Sequence, residues 1–282
     1  VIDVQKSPYG SVLVVQQLPA LDQPVEATVN RVSREFTCAN HSATHLLQAA
    51  LITVLGPHVA QKGSLVNQDY LRFDFTHFEA MTKQQLLDVQ ALVNEKIRAG
   101  IPLEEDREIP IEQAKERGAR MLFGEKYGDE VRVLSMGDDN FSVELCGGTH
   151  VERLGDIGRF KIISESGIAS GVRRIEAVTG LEAYMLDKIN EDNLDMIASL
   201  TKSNSVNLLE KIKQLISNQK SLEKQIANFQ KQLASDQSGD LISKAVDING
   251  IKLLATEVSG VSAKDLRGLA DKLKDKLGTA VV

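Results

Sequence analysis

Two cysteines in 282 residues are too few to staple a secreted fold, and they point to a reducing compartment, the cytoplasm. No apolar run is long enough to span a bilayer. Positive charge is not in excess either: 33 Lys and Arg stand against 39 Asp and Glu, a formal net charge of −6. No global field therefore draws in nucleic acid, and any RNA contact must come from local basic clusters. The chain starts at Val1 with no Met and no signal peptide, and Gly278 to Val282 reads as a strand cut short. Both ends are what a piece of a longer polypeptide would show. What is present is an ordinary soluble profile, 42% hydrophobic and 26% charged, long enough for two or three domains.

Histidine is also scarce, which makes its placement informative. Three of the five His and one of the two Cys fall in two short motifs, HSATH at 41–45 and CGGTH at 146–150. A spacing of four puts His41 and His45 on one face of a helix. In the second motif two glycines allow a tight backbone, so that Cys146 and His150 face one point from a loop. Three imidazoles and a thiolate suit tetrahedral Zn²⁺. A lone His-x-x-x-His pair occurs on many helices by accident; the CGGTH motif carries the greater weight. Four protein ligands would close a purely structural site, whereas a catalytic zinc keeps a position open, and the sequence does not decide between these. The Glu of the metalloprotease His-Glu-x-x-His motif is absent, since Ser42 follows His41, which disfavours peptidase chemistry. His58 and His77 read as isolated residues and Cys38 as inert.

The pattern predicts an α+β fold in four parts. Residues 1–30 read as β, with strands at 11–15 and 25–29. Residues 31–180 read as one α+β domain: a helix from His41 to Leu55 capped by Asn40, a turn at Lys62-Gly63-Ser64, a strand over 70–75, and an amphipathic helix over 81–99. A short helix at 111–118, paired strands at 131–136 and 140–145, and strands at 160–164 and 172–178 complete it. Residues 181–238 hold no Pro, and no Gly before Gly239, and divide at Thr201–Ser205. Leu208, Leu215, Leu222 and Phe229, with Ile212, Gln219, Ile226 and Leu233, form a heptad seam, expected as a helical hairpin or coiled-coil arm that Gly239 ends. Residues 239–282 read as the start of an α/β domain: a strand over 248–258, a helix over 262–277 opened by a Ser-x-x-Asp box, and a strand from 279.

Read together, NHSATHLL at 40–47, QKGSLV at 61–66, LRFDF at 71–75, LFGEKYGDEVRVLSMG at 122–137, ELCGGTHV at 144–151 and GDIGRFKIISESGIASGVRRIEAVTG at 155–180 resemble the editing domain of the alanyl-tRNA synthetases. The strands before it are similar to the small β-barrel that precedes this domain in the family. The arm and the partial α/β piece after it are similar to the C-terminal tRNA-binding and dimerisation region. The resemblance implies hydrolysis of the ester that joins Ser or Gly to the 3′ end of tRNA(Ala), and an ATP-using aminoacylation domain upstream. Physical need accords with it, because a small extra or missing group changes binding by only ~1–3 kcal/mol, so a second site must remove wrong products. It implies His41, His45, Cys146 and His150 as zinc ligands, Gln61 as the glutamine supporting hydrolysis, and Thr44 as a determinant of pocket size and serine selection. Arg173 or Arg174 would approach the terminal adenosine or its phosphate, with a solvated edge strand as the alternative for each; Lys126, Arg132, Arg159 and Lys161 read first as solvated surface charge and only second as phosphate contacts. Partners implied are the tRNA(Ala) acceptor end and a second copy of the chain. The threonyl-tRNA synthetase editing domain shares the ligand spacing but typically has Pro before the last His, where Thr149 stands here. A free-standing editing protein and a non-catalytic zinc-stabilised tRNA-binding module are the remaining alternatives.

Overall fold

A computed structural model describes residues 3–8, 10–18, 20, 23–121, 127–258 and 263–282. The chain divides into two compact units, Val1–Ile189 and Asn190–Val282.

The first unit opens with an antiparallel hairpin of β1 (Asp3–Ser7) and β2 (Gly10–Val14). The strand expected over 25–29 does not form: Val25 and Val29 are exposed, and Pro24, which has no amide donor, leads into the segment. Helix α1 (Arg31–Leu55) begins ten residues earlier than expected. Its cap is Asn30, whose Oδ1 accepts from the Ser33 amide at 3.1 Å. Asn40 is no cap but a buried residue in mid-helix. Its Nδ2 donates to the Asn67 carbonyl at 2.9 Å, and its Oδ1 accepts from Thr179 Oγ1 at 2.8 Å. Gly56, at φ 114°, ends the helix ahead of Pro57.

Next come β3 (Gln61–Val66), β4 (Leu71–Thr76) and α2 (Lys83–Ala99), the last closed by a Thr82–Gln85 capping box and by left-handed Gly100. The turn expected at Lys62-Gly63-Ser64 is instead strand, with a bulge between Gln61 and Gly63. Then follow β5 (Glu104–Pro110), α3 (Ile111–Glu116), β6 (Glu130–Met136) and β7 (Ser142–Leu145). Strands β8 (Phe160–Ala169) and β9 (Val172–Thr179) complete this run.

These strands make two antiparallel sheets, in the orders β3-β4-β9-β8 and β5-β6-β7. Leu71, Phe73, Phe75, Ile175 and Ala177 of the first sheet pack with Leu46, Leu47, Ala50 and Leu51 of α1 and with Val89 and Val93 of α2. The middle of α1, from Cys38 to Leu51, is therefore enclosed on nearly all sides. That enclosure buries Asn40, Ser42, Thr44, His45 and Gln48, so each needs a specific polar partner.

Helix α4 (Gly180–Leu200) carries the chain across the division, and α5 (Leu208–Ile242) follows. The break between them falls at the expected cluster, but α5 runs past Gly239 to Ile242. Leu208 is buried, whereas Leu215, Leu222, Ile226 and Phe229 of the seam are exposed; the Leu233 side chain lies outside the described residues. The strand expected over 248–258 is a short hairpin of β10 (Val246–Ile248) and β11 (Ile251–Leu253). Helix α6 (Ala263–Leu277) and β12 (Ala280–Val281), parallel to β11, complete the second unit; Ser262 of the expected box lies outside the described residues. Its core is Leu241, Leu254, Leu269, Leu273 and Leu277. The mixed α+β class holds. Among the described residues, no helix is long and apolar enough to cross a membrane.

Candidate metal centre

His41 and His45 project from one face of α1 with ring centroids 5.1 Å apart. Cys146 and His150 come from the loop that leaves β7, and their side chains meet this face. One ligand atom from each of the four lies within 4.8 Å of every other. His41 Nε2 and His150 Nε2 stand 3.5 and 3.4 Å from Cys146 Sγ.

The other nitrogen of each ring has a partner that orients it. His41 Nδ1 faces the Thr149 carbonyl at 3.2 Å, an acceptor only, so Nδ1 carries a proton and Nε2 is the nitrogen turned toward the cluster. His150 Nδ1 faces Ser42 Oγ at 3.2 Å, which also accepts from the Val151 amide. His45 Nδ1 lies 2.5 Å from Glu144 Oε2. His45 Nε2 is buried and has no hydrogen-bond partner among the described residues. A metal bond would satisfy that atom, and the donor set suits Zn²⁺.

Of the two motif glycines, only Gly148 is sterically required. A Cβ there would sit 2.2 Å from His41 Cε1 and 2.7 Å from Nδ1, while one at Gly147 would meet nothing within 4 Å. Neither has a positive φ, so the reason for Gly148 is close approach of a ring and not a special backbone conformation. The loop is fixed by Arg132, whose Nη1 donates to the Cys146 carbonyl at 3.2 Å and to the Gly148 carbonyl, and whose Nε pairs with Glu105 at 2.7 Å.

The cluster members and Glu144 set one another's protonation. Burial would raise the Cys146 thiol, but the neighbouring imidazoles of His150, His41 and His45 hold it down at about 3, so it is a thiolate at neutral pH. Burial would lower His45, but Glu144 above all, with the Cys146 thiolate, pushes it up to about 10. Burial depresses His150 to about 4.

Beside the cluster is a cavity of about 70 Å³, walled by His41, Thr44, His45, Gln61, Arg120 and Glu144 among others. It brings Gln61 and Thr44 to the ligands. The Thr44 hydroxyl donates to the Asn40 carbonyl at 2.9 Å, which leaves its oxygen lone pairs as acceptors. Gln61 Nε2 donates to Ser64 Oγ at 3.2 Å. At roughly 10–15 Å³ per water, the space admits about five waters or a very small acyl group.

The cationic candidates are placed differently. Arg174 makes a two-pronged contact with Asp74 at 2.7 and 2.9 Å, and Arg173 pairs with Glu165 at 2.5 Å. Arg159 and Lys161 share Asp187, Arg132 holds the loop, and Lys126 lies outside the described residues. Two histidines read as isolated are in fact partners: His58 Nε2 and His77 Nδ1 are 2.9 Å apart. Cys38 is buried. Sequence reasoning missed Glu144 and Arg120. Glu144 had a weak signal, as a carboxylate at the end of an apolar strand two residues before Cys146.

Residues 131–176 match a family model described as the threonyl and alanyl tRNA synthetase second additional domain. Among curated proteins, the alanine–tRNA ligase of Ruthia magnifica subsp. Calyptogena magnifica is 55% identical over 258 residues, 92% of this chain and 30% of that protein. That of Saccharophagus degradans is 52% identical over 283 residues, 99% of this chain and 32% of that protein. The chain thus spans about a third of the length of the curated relatives it matches.

Proposed function

We propose that this chain, which corresponds along nearly its whole length to a segment of the alanyl-tRNA synthetases, is a tRNA-editing esterase within an alanine–tRNA ligase. It hydrolyses the ester of Ser-tRNA(Ala) and Gly-tRNA(Ala), and the longer protein attaches alanine to tRNA(Ala). The observation that carries this reading is one small cavity shared by Gln61, Thr44 and the His and Cys cluster. A cavity of this size takes a small aminoacyl group and excludes larger ones.

In this reading His41, His45, Cys146 and His150 hold Zn²⁺. When bound, the ion supplies a Lewis acid beside the ester and a fixed point for the substrate end. Gln61 orients the attacking water and helps to stabilise the developing oxyanion. Thr44, whose hydroxyl proton is already given to the Asn40 carbonyl, accepts a hydrogen bond from the substrate serine hydroxyl. The tRNA(Ala) acceptor end is the partner at this site. For Arg173 and Arg174 to reach the terminal adenosine or phosphate, each must exchange a carboxylate partner for RNA.

The test is deacylation of Ser-tRNA(Ala) by the chain beside His45→Ala, with zinc content and circular dichroism recorded for both. Hydrolysis by the parent alone supports the reading. No hydrolysis by a folded, zinc-loaded parent would leave a zinc-stabilised tRNA-binding module. Thr44→Val should slow hydrolysis of Ser-tRNA(Ala) more than that of Gly-tRNA(Ala), about tenfold for one lost hydrogen bond.

A further inference from the structure

We infer that Glu144 is a positioning residue for the metal centre, acting on the ion through His45. The inference rests on the zinc reading above and deepens it. Its warrant is the difference among the three imidazoles. The orienting partners of His41 and His150 are a carbonyl and a hydroxyl, both neutral and both at 3.2 Å. Among the described residues, only His45 of the three has a carboxylate partner, at 2.5 Å. A charge-assisted bond of this kind is shorter and roughly twice as strong as a neutral one. It makes Nδ1 the protonated nitrogen and directs Nε2, the buried atom with no partner among the described residues, into the cluster. It also makes the imidazole a better electron donor.

Glu144 is itself held from several sides. It lies on β7, buried, opposite Leu134 of β6. On the other side the Arg120 backbone brackets it, donating to the Val143 carbonyl and accepting from the Leu145 amide at 2.9 Å each. Glu144 Oε1 accepts from Ser142 Oγ at 3.0 Å and stands 3.6 Å from Arg120 Nη1. The carboxylate therefore cannot swing away from His45 without breaking other contacts. Charge adds a second reason. A divalent ion with one thiolate leaves a net positive charge in a largely buried site beside Arg120, and the Glu144 carboxylate offsets part of it.

The experiment measures zinc affinity by chelator competition, and the visible spectrum of the cobalt-loaded protein, for the parent, Glu144→Gln and Glu144→Ala. Removal of an orienting carboxylate should weaken zinc about 10- to 100-fold in Glu144→Ala. Glu144→Gln keeps an acceptor for Nδ1 and the shape of the site, so it should fold like the parent, bind zinc at an intermediate affinity and show a shifted cobalt spectrum. A Glu144→Gln protein that binds zinc within twofold of the parent, with an unchanged cobalt spectrum, overturns the inference even if Glu144→Ala fails to fold. A parent that binds zinc but does not deacylate Ser-tRNA(Ala) fails the editing reading and leaves this one to be decided on its own measurement.

Discussion

Gly148 lies against the His41 ring, and that contact decides what a methyl group does there. Gly148→Ala forces the ring or the loop to move, because a Cβ 2.2 Å from Cε1 is well inside van der Waals contact. Overpacking of this kind costs about 1–3 kcal/mol, and here the cost falls on the metal site. Chelator competition should show zinc bound at least about tenfold more weakly in Gly148→Ala. Gly147→Ala has open space and should stay within about twofold of the parent. Proton linkage is a second property of single residues. In chelator-treated protein, Cys146 is depressed from 9.0 to about 3, so its stabilisation is complete above pH 9 and is lost as pH falls toward 3. His45 is raised from 6.5 to about 10, so its stabilisation is complete below 6.5 and is lost as pH rises toward 10. His150 is depressed to about 4, so acidification through 6.5 favours the unfolded chain. Between pH 6.5 and 9 the Cys146 and His45 contributions oppose each other and stability is nearly flat. Below 6.5 the Cys146 and His150 contributions add, each at about 1.4 kcal/mol per pH unit as an upper bound. Urea midpoints of the chelated protein should therefore hold steady from pH 9 to 6.5 and then fall; a rise on acidification would refute this assignment of charges.

At the scale of elements, α1 is the part on which the site depends, and its two asparagines should respond unequally. Asn30→Ala removes an exposed cap and should cost about 1 kcal/mol. Asn40→Ala leaves the Asn67 carbonyl and the Thr179 hydroxyl without their buried partner, and should cost about 2–4 kcal/mol. Equal losses in urea unfolding would mean that Asn40 does not tie α1 to its neighbours. This pair also explains where the sequence misled. Asn40 stands before an apolar run, as a cap does, and its real partners lie 27 and 139 residues away, beyond any local pattern. Strand β5 was missed because EEDREIP is acidic and mostly exposed, so it carries no apolar alternation. The His58–His77 pair was missed because the two rings come together across 19 residues of intervening chain. The ligand quartet was legible because each half is local: a helical turn gives one pair and a five-residue loop the other. That the halves meet was an inference from zinc chemistry. Gln61 and Thr44 came from family resemblance alone, since no spacing ties position 61 to position 44.

At the scale of the whole molecule, the four ligands all belong to the unit Val1–Ile189 and none to Asn190–Val282. A metal that binds only the folded state stabilises what it binds, by an amount set by its concentration relative to its dissociation constant. Zinc should therefore slow amide exchange in α1, β7 and the Cys146–His150 loop, and leave β10, β11 and α6 unchanged. Equal protection in both units would mean that they open as one cooperative body. The exposed seam of α5 bears on a different variable. Leu215, Leu222, Ile226 and Phe229 repeat at heptad spacing on a helix that leaves them in solvent, which is how one strand of a coiled coil presents itself. A homodimer through this region, which the family resemblance implies, would cover them. Exchange in α5 should then slow as protein concentration rises, with or without zinc, and the combined substitution Leu222→Lys and Phe229→Lys should abolish that dependence and give a monomer in sedimentation. Exchange in α5 that follows zinc and ignores concentration would count against pairing of two copies through this seam.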